Sequence, residues 1–189
     1  MRRTFIAINI NRSRALSRLV EEYKIRLKEE KIKWVDPANL HLTLAFLGEI
    51  NEDQIIKVGE IMNEAADNCS PFEIIFSGTG VFRNIKQPRV IWLAIEAPQS
   101  LYDLQKDICA ALIKKDLYRD EKPFRPHLTL GRMKYIDNKE ALSNLINSSE
   151  GINLPPQTVN ELLLYESILK PEGPVYQPLK TVRFKSHNN

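Results

Sequence analysis

His41-Leu42-Thr43-Leu44 and His127-Leu128-Thr129-Leu130 are one tetrad written twice, 86 positions apart. The chain has three histidines, and two of them open these tetrads. Side chains on a strand alternate between its two faces. Each tetrad, read as a strand, therefore puts His and Thr on one face and two leucines on the other. The leucines can anchor in a core while imidazole and hydroxyl face outward together. Two such strands side by side make a cleft with two imidazoles and two hydroxyls. That set suits acid–base cleavage of a phosphodiester.

The surroundings repeat with the same offset. Adding 86 carries the apolar run Phe5–Ile10 onto Ile91–Glu96 and the helix-patterned stretch Arg14–Lys31 onto Ser100–Leu117. It carries Asn51-Glu52-Asp53 onto Asp137-Asn138-Lys139, and Phe72–Ser77 onto Thr158–Leu163. Each half reads strand, helix, H-x-T strand, helix, strand. A period this long with two copies predicts two lobes rather than a solenoid. The expected organisation is one bilobal domain over residues 1–189, with internal repeats at roughly 1–86 and 87–180.

The pattern predicts helices from the Ser13 cap through Leu16, Leu19, Val20 and Tyr23, and behind Ser100 through Leu101, Leu104 and Ile108. Two more follow caps at Asn51 or Asp53 and at Asp137 or Asn138. Strands are expected at 5–10, 40–47, 72–77, 89–95, 127–133 and 158–166. The turn cluster Lys170-Pro171-Glu172-Gly173-Pro174 should lead into a last strand over 175–184. Phe46 has the parity of Leu42 and Leu44 and is expected in the core. The implied class is α+β rather than a doubly wound parallel sheet.

Composition narrows the classes. With 43% hydrophobic and 27% charged residues, the chain has the make-up of an ordinary globular protein. No apolar run approaches the roughly 20 residues of a membrane span. Met1-Arg2-Arg3-Thr4-Phe5 leads straight into a strand-like run without the hydrophobic region of a secretory signal. Cys69 and Cys109 are too few and too isolated for a disulfide framework. A cytoplasmic monomer is expected. The formal charge of +3 permits an anionic partner without demanding one.

In-line cleavage of a phosphodiester needs a base on one side of phosphorus and an acid on the other. Histidine, with an ordinary pKa of about 6.5, suits both tasks near neutrality. His41 and His127 on opposite sides of a phosphate could share the work with no metal or cofactor. Hydroxyls of Thr43 and Thr129 would stabilise charge on the equatorial oxygens, and Arg132 or Arg125 would add charge-assisted bonds. Strict alternation from His127, however, sends Arg132 into the core with Leu128 and Leu130, where an unpaired guanidinium is not tolerable. An irregularity at Gly131 that turns Arg132 toward the cleft is therefore predicted.

The stretches His41-Leu42-Thr43-Leu44-Ala45-Phe46-Leu47-Gly48 and Pro126-His127-Leu128-Thr129-Leu130-Gly131-Arg132 resemble the 2H phosphoesterase superfamily. Within it they are similar to the RNA 2′,3′-cyclic phosphodiesterases, once called 2′-5′ RNA ligases. The likeness extends to Arg3–Ile8, Lys33–Leu40, Gly80–Phe82, Pro88–Trp92, Pro123–Pro126, Ser167–Leu169 and Gly173–Tyr176. It implies two pseudo-symmetric lobes, with antiparallel sheets lining a central cleft and helices outside. It also implies as substrate an RNA end or nucleotide carrying a 2′,3′-cyclic phosphate, opened to a 2′-phosphate. By position, His41 would protonate the departing O3′ and His127 would activate water. Thr43 and Thr129 would hold phosphate oxygens, and Arg132 would support substrate binding. Lys122 stands where many relatives carry Arg, which would loosen one phosphate contact.

Plainer readings stand beside these. A single His or Thr on a strand is usually structural. Arg132 could be a solvated strand-end charge, and Phe124 a packing residue. The run 24–33 is charged helix surface before it is an RNA-binding face. His187 sits in a polar tail. No cluster has metal-ligand spacing, and Gly78-Thr79-Gly80 lacks the ending of a phosphate loop. A nucleotide-binding module without catalysis, or a protein-interaction scaffold, are the competing functions. Hydrolysis and its ligating reverse are not separated by the sequence.

Overall fold

The two halves of the chain exchange strands. In a computed structural model, which describes residues 1–119, 123–149, 152, 154–171 and 173–185, two antiparallel sheets form. Lys122 and His187 lie outside the described residues. The first half contributes β1 (Arg2–Asn9), α1 (Arg14–Arg26), β2 (Ile32–Trp34), β3 (His41–Ile50), α2 (Glu52–Asp67) and β4 (Phe72–Phe82). The second contributes β5 (Val90–Glu96), α3 (Gln99–Lys114), β6 (His127–Met133), α4 (Lys139–Asn147), β7 (Gln157–Val159), β8 (Glu161–Lys170) and β9 (Gly173–Arg183). One sheet runs β3-β1-β8-β9 and the other β2-β6-β5-β4-β7. Under the 86-residue offset β4 corresponds to β8. Each half therefore lends its last repeated strand to the sheet nucleated by the other.

Local chemistry sets most element ends. Ser13 accepts a hydrogen bond from the Leu16 amide at 3.0 Å and caps α1. Asn51 and Gln54 form a reciprocal capping box on α2, each side-chain oxygen accepting from the other's backbone amide at 2.9 Å. Asn138 caps α4. Helix α3 differs from expectation. It starts at Gln99 with Pro98 at the N-cap and no side-chain bond, so Ser100 is already inside the helix. Helix α1 stops at Arg26, so 27–33 is not helix surface, and β2 is a strand the apolar pattern did not reveal. The expected strand over 158–166 is two strands, parted at Asn160 because β7 pairs with β4 while β8 pairs with β1 and β9.

The apolar stripes of the helices and the leucine faces of the H-x-T strands share one core. Leu42, Leu128 and Leu130 are fully buried, as are Leu93, Leu101 and Ile108. Burial of each such side chain stabilises by about 1.5–3 kcal/mol. A polar link crosses this core. Tyr23 of α1 hydrogen-bonds Thr79 of β4, whose amide donates to Ser149 Oγ at 2.8 Å just beyond α4. Among the described residues no helix is long and apolar enough to cross a membrane.

Candidate active site

Strands β3 and β6 approach each other across the gap between the sheets. Their burial alternates as the tetrads require. His41, Thr43, His127 and Thr129 are half-buried, while the leucines beside them are buried. The alternation then breaks, in the same way in both copies. On β3, Ala7 pairs with Thr43 and Ile6 with Ala45, so Leu44 is an extra residue. On β6, Trp92 pairs with Thr129 and Ile91 with Gly131, so Leu130 is the extra residue. Each bulge keeps two successive residues on the core side and turns the next one, Phe46 or Arg132, outward.

Two expectations are settled by these bulges. Arg132 is exposed, and its charge reaches both His41 and His127, as the predicted irregularity requires. The extra residue is Leu130 rather than Gly131. Nor does Gly131 serve through its backbone angles, since among the described residues the glycines with positive φ are Gly48, Gly78 and Gly173. A Cβ on Gly131 would lie 2.8 Å from Ile32 Cγ2 and 3.0 Å from the Trp34 ring, so its smallness admits β2. Phe46, by contrast, is not in the core. It is 48% exposed, because parity counted across an unseen bulge gives the wrong face. The Arg3 guanidinium lies 5.0 Å from the centre of its ring.

The histidines are held alike by the backbone. His41 Nδ1 is 2.7 Å from the carbonyl oxygen of Asn39, and His127 Nδ1 is 2.7 Å from that of Arg125. A carbonyl only accepts, so each ring carries a hydrogen on Nδ1 and leaves Nε2 for a substrate. Asn39 ends a one-turn helix capped by Asp36, and its own side chain donates to the Pro174 carbonyl at 2.8 Å. Pro126 restricts Arg125 to extended backbone, which aims its carbonyl along the strand.

Aromatic rings wall both imidazoles. Phe5 and Tyr176 lie 4.8 and 5.1 Å from His41, and Phe82 lies 4.6 Å from His127, the latter two edge-on. Tyr176 belongs to the second half and Phe82 to the first, so the strand exchange gives each histidine an aromatic neighbour from the other repeat. These neighbours carry no periodic signal that marks them in the sequence. Trp92 stands opposite Thr129, and its buried indole N–H has no hydrogen-bond partner among the described residues.

Burial pushes both imidazoles below their usual range. The carbonyl bonds oppose that shift, while the Arg132 charge adds to it at both rings and His127 adds to it at His41. Burial raises the Tyr176 hydroxyl, and Arg132 and Arg3 pull it down. These couplings gather His41, His127, Tyr176 and Arg132 around one space. Arg125 is exposed, and its carbonyl holds His127. Two neutral imidazoles with free Nε2 atoms, two hydroxyls and one guanidinium can bind an anion and pass protons on either side of it.

The family model described as LigT like Phosphoesterase matches residues 6–92 and again residues 93–176. The chain is 32% identical over 183 residues to an RNA 2′,3′-cyclic phosphodiesterase of Methanothermobacter thermautotrophicus, covering 96% of this chain and 98% of that protein. It is 36% identical over 167 residues to the enzyme of the same name from Aquifex aeolicus, covering 85% and 88%. Its fold superposes on the crystal structure of TT0787 of Thermus thermophilus with a TM-score of 0.77 at 28% identity, over 98% of this chain and all of that one.

Proposed function

The chain belongs to the LigT-like phosphoesterase family, and on that footing we propose that it is a metal-independent RNA 2′,3′-cyclic phosphodiesterase that opens terminal cyclic phosphates to 2′-phosphates. The observation that carries this reading is the matched pair of imidazoles on the adjacent strands β3 and β6, each fixed through Nδ1 by a backbone carbonyl, which leaves Nε2 for the substrate. Curated relatives of that activity support the substrate class.

The cyclic phosphate sits between the two rings. His127 Nε2 takes a proton from water as the water oxygen bonds to phosphorus. The P–O3′ bond breaks on the opposite side, and protonated His41 gives its Nε2 proton to O3′. One water is consumed, and a 2′-phosphomonoester and a free 3′-hydroxyl result. Thr43 and Thr129 donate to the non-bridging oxygens, and Arg132 balances the charge that builds there. The anionic substrate itself raises the histidine pKa values and so supplies the proton the acid needs, which burial alone disfavours.

The test is incubation with a 2′,3′-cyclic nucleotide in EDTA, with phosphorus NMR reading the product. A 2′-phosphate formed at an undiminished rate is expected. Loss of turnover in EDTA with recovery on added Mg²⁺ or Mn²⁺, or a 3′-phosphate product, would overturn the mechanism.

A further inference from the structure

The cleft is nearly symmetric, but strand β2 has no twin. Strand β2 lies at the edge of the second sheet, beside β6. Under the 86-residue offset its counterpart falls at 118–120, and Tyr118 and Arg119 are not in a strand. In register, Lys33 of β2 stands directly opposite Arg132 of β6. Opposed residues of an antiparallel pair share a face, so Lys33 stands on the face that carries Arg132 toward the histidines. Ile32 and Trp34, on the other face, pack on Gly131 and the core.

The Lys33 side chain is exposed as a residue, yet it has a seat. Its Cε and Nζ lie 3.7 and 3.8 Å from where a side chain on Gly173 would begin, at the start of β9. Among the described residues no carboxylate pairs with Lys33 or Arg132. Two neighbouring cations that no described carboxylate offsets repel each other, and an anion bound between or beyond them relieves that cost.

From this we infer that Lys33 binds a backbone phosphate upstream of the terminal cyclic phosphate and so makes the enzyme prefer RNA ends to mononucleotides. The inference rests on the cyclic phosphodiesterase reading above. Strand β2 is the edge of its sheet, about 4.8 Å beyond β6, so Lys33 stands farther from the histidines than Arg132 does, and a cation there meets a neighbouring backbone phosphate rather than the reacting one. A chain ending in a cyclic phosphate continues on one side only. The cation supplied by β2 likewise extends the cleft on one side only.

The experiment compares a 2′,3′-cyclic mononucleotide with a short oligoribonucleotide ending in the same cyclic phosphate. Lys33→Ala should raise KM for the oligomer roughly fivefold, the effect of one charge pair at 4 Å in bulk water. The change for the mononucleotide should stay under about twofold. Lys33→Arg should restore the preference. A second measurement uses no turnover: fluorescence anisotropy of an oligoribonucleotide with a 2′-phosphate end, titrated with salt. The slope of log affinity on log salt should fall by about 0.7 in Lys33→Ala. An equal effect on both substrates, or an unchanged slope, refutes the inference. If wild-type protein turns over neither substrate, the catalytic reading fails, and the anisotropy slope alone decides the role of Lys33.

Discussion

Phe46 and Arg132 occupy the same place in the two repeats. Each follows a one-residue bulge, at Leu44 and at Leu130, and each is turned outward by it. One lobe uses the position for an aromatic ring beneath Arg3, the other for the guanidinium whose charge both histidines feel. The histidines differ in a related way. His41 is flanked by Phe5 and Tyr176, and the residue whose carbonyl holds it is tied to β9; His127 has Phe82 and a carbonyl from an exposed residue. Duplication preserved the backbone device, and the two copies diverged in what they present from it. A symmetric frame with unequal surroundings suits the division of the two histidines into acid and base proposed above.

The hardest blow to this comparison is removal of either imidazole. His41→Ala and His127→Ala should each lower kcat by about 10²–10⁴, the scale of one general acid or base. The double variant should be little worse than the worse single one, because the pair acts as a unit. Steady-state kinetics on a cyclic nucleotide checks both points. Near-normal turnover in either single variant would break the pairing.

Next in size is the core beneath each motif. Leu42→Ala and Leu128→Ala remove fully buried side chains and should each cost about 2–5 kcal/mol in urea unfolding. The two costs should be similar, since the strands share one core. Gly131→Ala sharpens the contrast between copies. Ala45 fills the equivalent position without difficulty, whereas a methyl on Gly131 meets Ile32 at 2.8 Å. Overpacking of about 1–3 kcal/mol is expected, with β2 displaced.

A smaller effect is read in pH. Both imidazoles lie below their ordinary range, so the singly protonated pair is richest on the acid side of about 6.5. The kcat/KM optimum should lie there, more acid than the neutral optimum two unperturbed histidines would give. The kcat profile, which reports the substrate complex, should be shifted upward. Arg132→Gln removes a lowering influence from both rings and should move the kcat/KM limbs up together. The same depression has a sign for stability. The unfolded chain binds protons first as pH drops, so the stability due to neutral, buried imidazoles is present above about 6.5 and is lost as pH falls through the folded values. Melting temperature followed from pH 8 to 5 tests this.

The smallest effect separates the twins. Phe46→Ala, at an exposed site, should change stability by no more than about 0.5 kcal/mol. A loss of several kcal/mol would restore the core assignment that simple alternation suggests.

What could be read in the chain follows from what a period can encode. The H-x-T faces, the helix caps at Ser13, Asn51 and Asn138, and the duplication itself are local or self-similar, and they are visible as such. The outward turn of Arg132 was deducible because a buried unpaired guanidinium is costly. Phe46 offers no such contradiction, so nothing in the sequence marks the identical bulge in its own strand. Strand β2 is three residues long, and the alternation of Ile32-Lys33-Trp34 is too short a run to mark a strand. The offset of 86 says which elements are equivalent but not which strands pair, so the exchange of β4 and β8, and the rings it brings to each histidine, depend on three-dimensional contacts.

That exchange also bears on the order in which the protein can be made. Thr4 of β1 pairs with Glu166 of β8, near opposite ends of the chain. At 5–20 residues per second, the ribosome takes about 8–30 s to deliver the second partner after the first. Throughout that interval β1 and β3 can form only a two-stranded ribbon, which is at best marginally stable alone, and one edge of β1 stays open. The first half of the nascent chain thus waits, with an unsatisfied strand edge, for a partner not yet synthesised.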